Sequence, residues 1–247
     1  SRWGVLPSFV IHLHKKDLAL LYAIHNFFGV GNVFSNKNGK SACFMVSKLN
    51  DLINVILPHF KKYPLQSDKS VDFKLWVMCI NILAKKVHLT LEGLTKIISI
   101  KSALNKGLSE NLKLIFKDVK PLERLKCRID ETPLNPYWVS GFSEGDSSFH
   151  VSISKLTNQV RIIYSIGLNK RDLPLILKIQ EFFGGVGNIS NYKNAVQFII
   201  ASINSIDEIL IPHFDSYVLK SNKLHNYLIW KEILGLVKSK AHLTQKG

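Results

Sequence analysis

The chain has 247 residues, 46% hydrophobic and 21% charged, a composition that excludes an intrinsically disordered chain and suits one large folded domain or two modest ones. Thirty-three Lys and Arg oppose eighteen Asp and Glu, and the resulting formal charge of +15 draws polyanions, nucleic acid first among them. No apolar run reaches the length a bilayer needs, and Cys43, Cys79 and Cys127 are too scattered, and odd in number, for a disulfide framework or a thiolate zinc site.

In chain order, alternation around Val10, His12 and His14 predicts a strand, and a second strand carries Cys43 and Met45 beyond a turn at Ser35, Asn36 and Lys37. "SVDFKLWVMCINILAKK" (70–86) has helical spacing and length. Residues 108–135 read as a connector, a short helix followed by a Pro- and charge-rich linker. Pro136 then suits the first position of a helix running through "YWVSGFSEGD". A strand follows through Phe149, Val151 and Ile153, and another through Tyr164, Ile166 and Leu168. "RDLPLILKIQEFF" (171–183) is helical, and the turn-rich "NISNYKN" leads into a strand over 194–202.

Most of this is written twice. "LHKKDLALLYAIHNFFGVGNV" (13–33) answers "LNKRDLPLILKIQEFFGGVGNI" (168–189). "VILPHFKKYPLQSDK" (55–69) answers "ILIPHFDSYVLKSNK" (209–223), and "LAKKVHLT" answers "VKSKAHLT". "WVSGFSEGDSSFHVSISK" (138–155) occurs once, because its first copy projects ahead of Ser1; the counterpart of "EGLTKIISIKSALNKG" likewise projects past Gly247. The expectation is a duplicated unit trimmed at both ends. The predicted fold is α+β, two pseudo-twofold-related αββαββα repeats at 1–107 and 136–247.

Gly141 and Gly145 lie four apart on one face of the predicted helix and leave a groove for close approach of a second helix. Each costs about 1 kcal/mol of helix stability, which a seam would justify. Asp146 falls at the helix C-terminus, where the dipole disfavours an anion unless a cation lies nearby. Taken alone, this leaves two readings open, a Mg2+ ligand or an ordinary solvated acid.

"WVSGFSEGDSSF" followed by an alternating strand, together with "LHKKDLALL", "FFGVGN", "HFKKYPLQSDKSVDF", "HLTLEGL" and "NKGLS", resembles the LAGLIDADG homing endonucleases, the single-chain, two-repeat kind of fungal mitochondrial introns. The resemblance implies a site-specific, metal-dependent DNA endonuclease, with each repeat presenting a curved antiparallel sheet to the major groove as half of a saddle. It implies Asp146 as the metal-binding acid of the second repeat, Lys69 and Lys223 as basic residues flanking the active site, and His14 and Asn169 as polar residues that help hold water. It further implies Mg2+ or another divalent cation, double-stranded DNA as partner, a monomer with pseudo-twofold symmetry, and a mitochondrial location. "GDSS" departs from the usual Gly-Glu-Gly-Ser of the family, and "KLHNYLIW" departs from "KSVDFKLW" in the first half. The alternative is a binding protein of the same fold that no longer cuts, such as an intron-RNA maturase or a ribonucleoprotein component.

Strand parity supplies the expected DNA contacts. If Phe149, Val151 and Ile153 face the helices, then His150, Ser152 and Ser154 face outward, with Lys155 beside them. Arg161, Ile163 and Ser165 follow on the next strand, and Gln197 and Ile199 beyond. The first half offers His12, Cys43 and Met45, with Asn36 and Lys37 at a turn matched by Ser190, Tyr192 and Lys193. Mixed polar and apolar side chains suit major-groove readout, and scattered lysines suit phosphates. "FFGVGN" lacks the third glycine of a dinucleotide fingerprint and reads as a tight turn. His12 and His14 share a face that zinc could use, but their counterparts are not ligands, so groove contact is the favoured reading. His88 and His242 read as helix-start residues, and the pairs Phe27/Phe28 and Phe182/Phe183 as core.

Overall fold

The structure, a computed structural model, describes residues 3–36, 39–104, 106–125, 132–154 and 159–241. The chain divides into two compact units, residues 1–128 and 129–247. In the first, β1 (Phe9–His14) leads through a 3-10 turn into α1 (Leu18–Phe28) and the hairpin β2 (Asn32–Ser35) and β3 (Ser41–Val46). Then come α2 (Leu49–Asp51), a π-helical turn over Leu52–Ile56, α3 (Leu57–Lys62), α4 (Lys69–Ala84), α5 (Leu91–Ala103) and α6 (Glu110–Ile115). The second unit runs α7 (Pro136–Asp146), β4 (Ser147–Ile153), β5 (Val160–Asn169), α8 (Leu173–Phe182), β6 (Asn188–Asn191) and β7 (Ala195–Ile200). It closes with α9 (Ile203–Ser205), a π-helical turn over Ile206–Leu210, α10 (Ile211–Ser216) and α11 (Lys223–Lys238).

Both sheets are antiparallel, ordered β1-β3-β2 in the first unit and β4-β5-β7-β6 in the second, so the α+β class read from the periods holds. One face of each sheet packs under helices. In the second unit Tyr164, Ile166, Phe198 and Ile200 meet Ile176, Ile179, Tyr227 and Trp230. In the first, Phe44 and Val46 meet Leu21, Leu52 and Ile56. Val71, Leu75, Leu83, Ile97 and Ile100 form a further core on α4 and α5. The connector joins the first unit: Leu122 N–H donates to Ser99 O at 3.2 Å, and the Ser99 hydroxyl donates to Lys120 O at 2.7 Å. Arg124 donates to Asp72 at 2.6 Å, to Asp68 at 2.7 Å and to Ala103 O at 2.7 Å. Among the described residues no helix is long and apolar enough to cross a membrane.

Two local features differ from, or sharpen, the sequence expectation. The helical stretches 49–62 and 203–216 are not visible as helices in the periods, because Pro58 and Pro212 interrupt them. Proline has no N–H to give the preceding turn and its ring clashes with the carbonyl four residues back, and in both units the ladder widens to a π turn just before it. The turn expected at "FFGVGN" is there, and a close backbone approach accompanies it. Gly31 and Gly187 both have φ of 84°, and a Cβ on either would meet a neighbouring strand carbonyl, Met45 O at 2.5 Å or Ile199 O at 2.6 Å. Gly184 also has positive φ but open space around it. Gly187→Ala should therefore cost more than Gly184→Ala by at least about 1 kcal/mol in urea denaturation; equal costs would show that backbone angle alone matters at these turns.

Candidate functional site

The loaded segment is α7. Asn135 caps it, accepting from Tyr137 N–H at 2.9 Å, and Pro136 fills its first turn without wasting a donor. Its buried face is stitched by serines. Ser140 donates to Tyr217 O at 2.7 Å and lies 3.2 Å from His213 Nε2, while Ser143 pairs with the Tyr164 hydroxyl at 2.8 Å. The opposite face carries Gly141 and Gly145, both exposed, where an added Cβ would meet nothing within 4 Å.

The C-terminal end of α7 is held by charge. Lys223 Nζ donates to Ser143 O at 2.9 Å and to Ser147 O at 2.5 Å, two carbonyls at the negative end of the helix. In return Glu144 accepts from Ser221 N–H at 3.0 Å, from Lys220 N–H and from the Ser221 hydroxyl, all in the turn that enters α11. Asp146, exposed, ends the helix beside Lys223's anchor. The nearby cation that its position calls for is thus supplied in part by the protein itself. The structure thus brings Lys223 and Asp146 to one corner.

The other expected catalytic residues sit as follows. Lys69, exposed, opens α4 in the first unit and borders a cavity of about 450 Å³ together with Phe9, Leu65, Phe73, Trp76 and Lys101. His14 and Asn169 are exposed and occupy matching positions at the ends of β1 and β5. Each caps the following turn: His14 Nδ1 accepts from Lys16 N–H at 3.2 Å, and Asn169 Oδ1 accepts from Arg171 N–H at 3.1 Å. Their capping role was not expected. No trio of His, Cys, Asp or Glu side chains among the described residues is arranged to hold a metal ion.

Cross-strand register fixes the outward faces. In the second unit His150 pairs with Ile163, Ser152 with Arg161, Ser165 with Ile199, and Ser190 with Gln197. Phe149 points the other way, onto Tyr227 at 5.3 Å and Trp230 at 5.2 Å. Ser154 N–H closes the β4–β5 pair onto Gln159 O at 3.0 Å, and Tyr192 donates to Gln197 Oε1 at 3.3 Å, with Lys193 exposed beside it. In the first unit His12 pairs with Cys43, and Val10 with Met45, while Asn36 Nδ2 donates to the Ser41 hydroxyl at 2.5 Å. Lys37 and Lys155 lie outside the described residues.

Two of these residues are on the expected face but not on the surface. Cys43 is 4% exposed and Ser165 6% exposed. Both are small side chains on central strands, closed over by larger cross-strand neighbours, His12 and Phe34 in one case and Ile199 in the other. The same register adds outward-facing residues that strand parity alone did not bring in: Ser148, Gly167 and Asn188 in the second unit, and Asn32, Phe34 and Ser41 in the first.

A sequence profile of the LAGLIDADG endonucleases matches residues 1–80 and 139–234. The chain belongs to this family. A probable intron-encoded endonuclease 2 of Neurospora crassa is 37% identical over 99% of this chain and 56% of its own length, and a probable intron-encoded endonuclease 3 of the same fungus is 36% identical over 99% and 47%. The chain spans about half the length of these curated relatives. Among solved structures, the LAGLIDADG homing endonuclease I-LtrWI bound to target DNA superimposes with a TM-score of 0.91 at 37% identity, covering 98% of this chain and 83% of that one. I-SmaMI bound to cleaved DNA gives 0.92 at 30% identity, covering 99% and 83%.

The α7 anchor makes stability of this LAGLIDADG chain pH-dependent through His213. Burial among Phe182, Phe183, Phe214 and Tyr217 pushes its pKa from the ordinary 6.5 down to about 4. The unfolded chain then binds the proton more readily, so the neutral ring's contribution is whole above about pH 6.5 and is lost as pH falls toward 4. His213→Gln should flatten the fall in urea midpoint between pH 7 and pH 5; an unchanged slope would place the acid sensitivity elsewhere.

Proposed function

We propose that this chain is the DNA-recognising and DNA-cleaving part of an intron-encoded, site-specific endonuclease acting on a long double-stranded target. The observation that carries the reading is the end of α7, where Asp146 is exposed and Lys223 is tied by two hydrogen bonds beside it. Support comes from the outward sheet faces, with their mixture of imidazole, hydroxyl, amide, guanidinium and apolar groups, and from the net charge of +15. Relatives bearing this family's sequence are named endonucleases, and solved neighbours hold DNA.

Asp146 fits a divalent cation of the Mg2+ type, which takes one or two carboxylates and leaves its other positions to water and substrate phosphate. I-SmaMI has been crystallised on uncleaved DNA with calcium ions. When bound, such an ion would polarise a phosphate oxygen as a Lewis acid. Lys223, and Lys69 in the first unit, would set an ammonium against the charge that develops on the phosphate. The nitrogen atoms of His14 and Asn169 not used in turn capping would orient water. His150, Ser152, Arg161, Ile163, Gln197 and Ile199 would read one half-site, with His12, Asn36 and Met45 reading the other, and a mitochondrial setting follows from the fungal intron-encoded relatives.

We infer further that two repeats, 1–107 and 136–247, are joined by 108–135, and that a second acidic helix-and-strand element like 136–153 covers the first unit. In the second unit Ser140 bonds His213, Lys223 bonds two α7-end carbonyls, Phe149 covers Tyr227, and Trp230 Nε1 donates to His150 O at 3.2 Å. Their counterparts His59, Lys69, Phe73 and Trp76 line open cavities instead. Two such acids would support cleavage of both strands.

Asp146→Asn should abolish cleavage of a target-bearing plasmid in Mg2+ while affinity stays within a few-fold, and chelation should stop the parent protein equally. Loss of binding in that variant would make Asp146 structural, and a parent protein that binds but never cuts would leave a non-cleaving binder of DNA or intron RNA. Arg161→Ala should relax base preference at one or two positions of the selected target; uniform weakening across all sequences would make Arg161 a phosphate contact.

A further inference from the structure

We propose that Phe34 is a specificity determinant of the first unit, reading the 5-methyl group of a thymine in the major groove. This rests on the reading of the outward sheet faces as DNA surface. Phe34 is 48% exposed on β2, next to Val33, which turns into the core. Register places it in a cross-strand row with Cys43 and His12. The repeat-equivalent row of the second unit is Ser190, Gln197 and Gly167, an amide and a hydroxyl beside a residue with no side chain. One fold thus offers polar groups at this register in one copy and an aromatic ring over a buried thiol in the other.

The chemistry of the partner follows from what a phenyl ring cannot do. Laid against adenine N6 or cytosine N4, it would desolvate an amino group without replacing its hydrogen bond, and the same holds for the guanine acceptors. Thymine presents the one apolar group of the major-groove edge. Phe34 therefore selects both by burying that methyl and by excluding bases that need a partner there. Covering one methyl group is worth about a fourfold change in affinity.

The test needs a target sequence obtained by selecting a randomised duplex pool with the parent protein. Each thymine of that target is then replaced singly by deoxyuridine, which removes only the methyl group. The parent protein should lose about fourfold in binding at one thymine, and Phe34→Ala should bind the thymine and deoxyuridine versions of that position equally. The proposal is overturned if every deoxyuridine is neutral to the parent protein, or if Phe34→Ala keeps the same penalty, which would leave the ring as a lid on Cys43. Phe34→Ser, which places there the residue type of the equivalent Ser190, serves if the alanine variant fails to fold, and the parent scan needs no variant at all. Failure to enrich any sequence would instead remove the DNA-surface reading itself.

Discussion

A pair of reciprocal ties between α7 and the entrance to α11 governs the candidate site. A helix C-terminus leaves carbonyls without partners and carries partial negative charge. Lys223 sets its ammonium against that negative end, donating to the carbonyls of Ser143 and Ser147, and Glu144 satisfies the amides of Lys220 and Ser221 with its carboxylate. Each segment lends the other the charge it lacks. Asp146 is placed where it is because its helix ends on a cation from elsewhere in the unit, and the dipole cost of an anion at that end is offset accordingly.

The same corner sets the phase of the sheet. β4 starts at Ser147, immediately after Asp146, and Ser147 also donates its hydroxyl back to Ser143 O at 2.7 Å. With that residue pinned, Phe149 must enter the aromatic cluster of Tyr164, Phe214, Tyr227 and Trp230, and His150 must face outward. A slip of one residue would send every outward side chain into the core. The ordering of one acid and the aim of a whole row of outward-facing side chains thus depend on a single anchored turn.

Duplication and divergence act on different layers of this structure. The glycines that approach the next strand, the prolines behind the π turns and the polar caps at the ends of β1 and β5 recur in both units, because backbone geometry demands them in each. The outward rows do not recur, since nothing in the fold constrains a side chain that faces away from the helices. Arg124 with Asp68 and Asp72 marks a further divergence, for Asn222 and Asn226 hold the equivalent places in the second unit.

Much was legible in the sequence where a residue's role is local or periodic. The repeat, the strand alternation, the helix opened by Pro136 and the turn at each Gly-x-Gly depend on neighbours a few residues away, and the family follows from motifs kept in order. The helical stretches holding Pro58 and Pro212 escaped, since a proline reads as a stop until the widened turn before it is seen. The burial of Cys43 and Ser165, the exposure of Phe34, and the use of Lys223 and Glu144 as ties escaped for another reason. Each depends on which residue stands opposite across a strand or a helix end, and that pairing joins positions as far apart as Glu144 and Ser221. Sequence by itself determined the class of fold, the basic character and the chemistry on offer; tertiary structure decided which of those groups meet, which are covered and which are left to face a ligand.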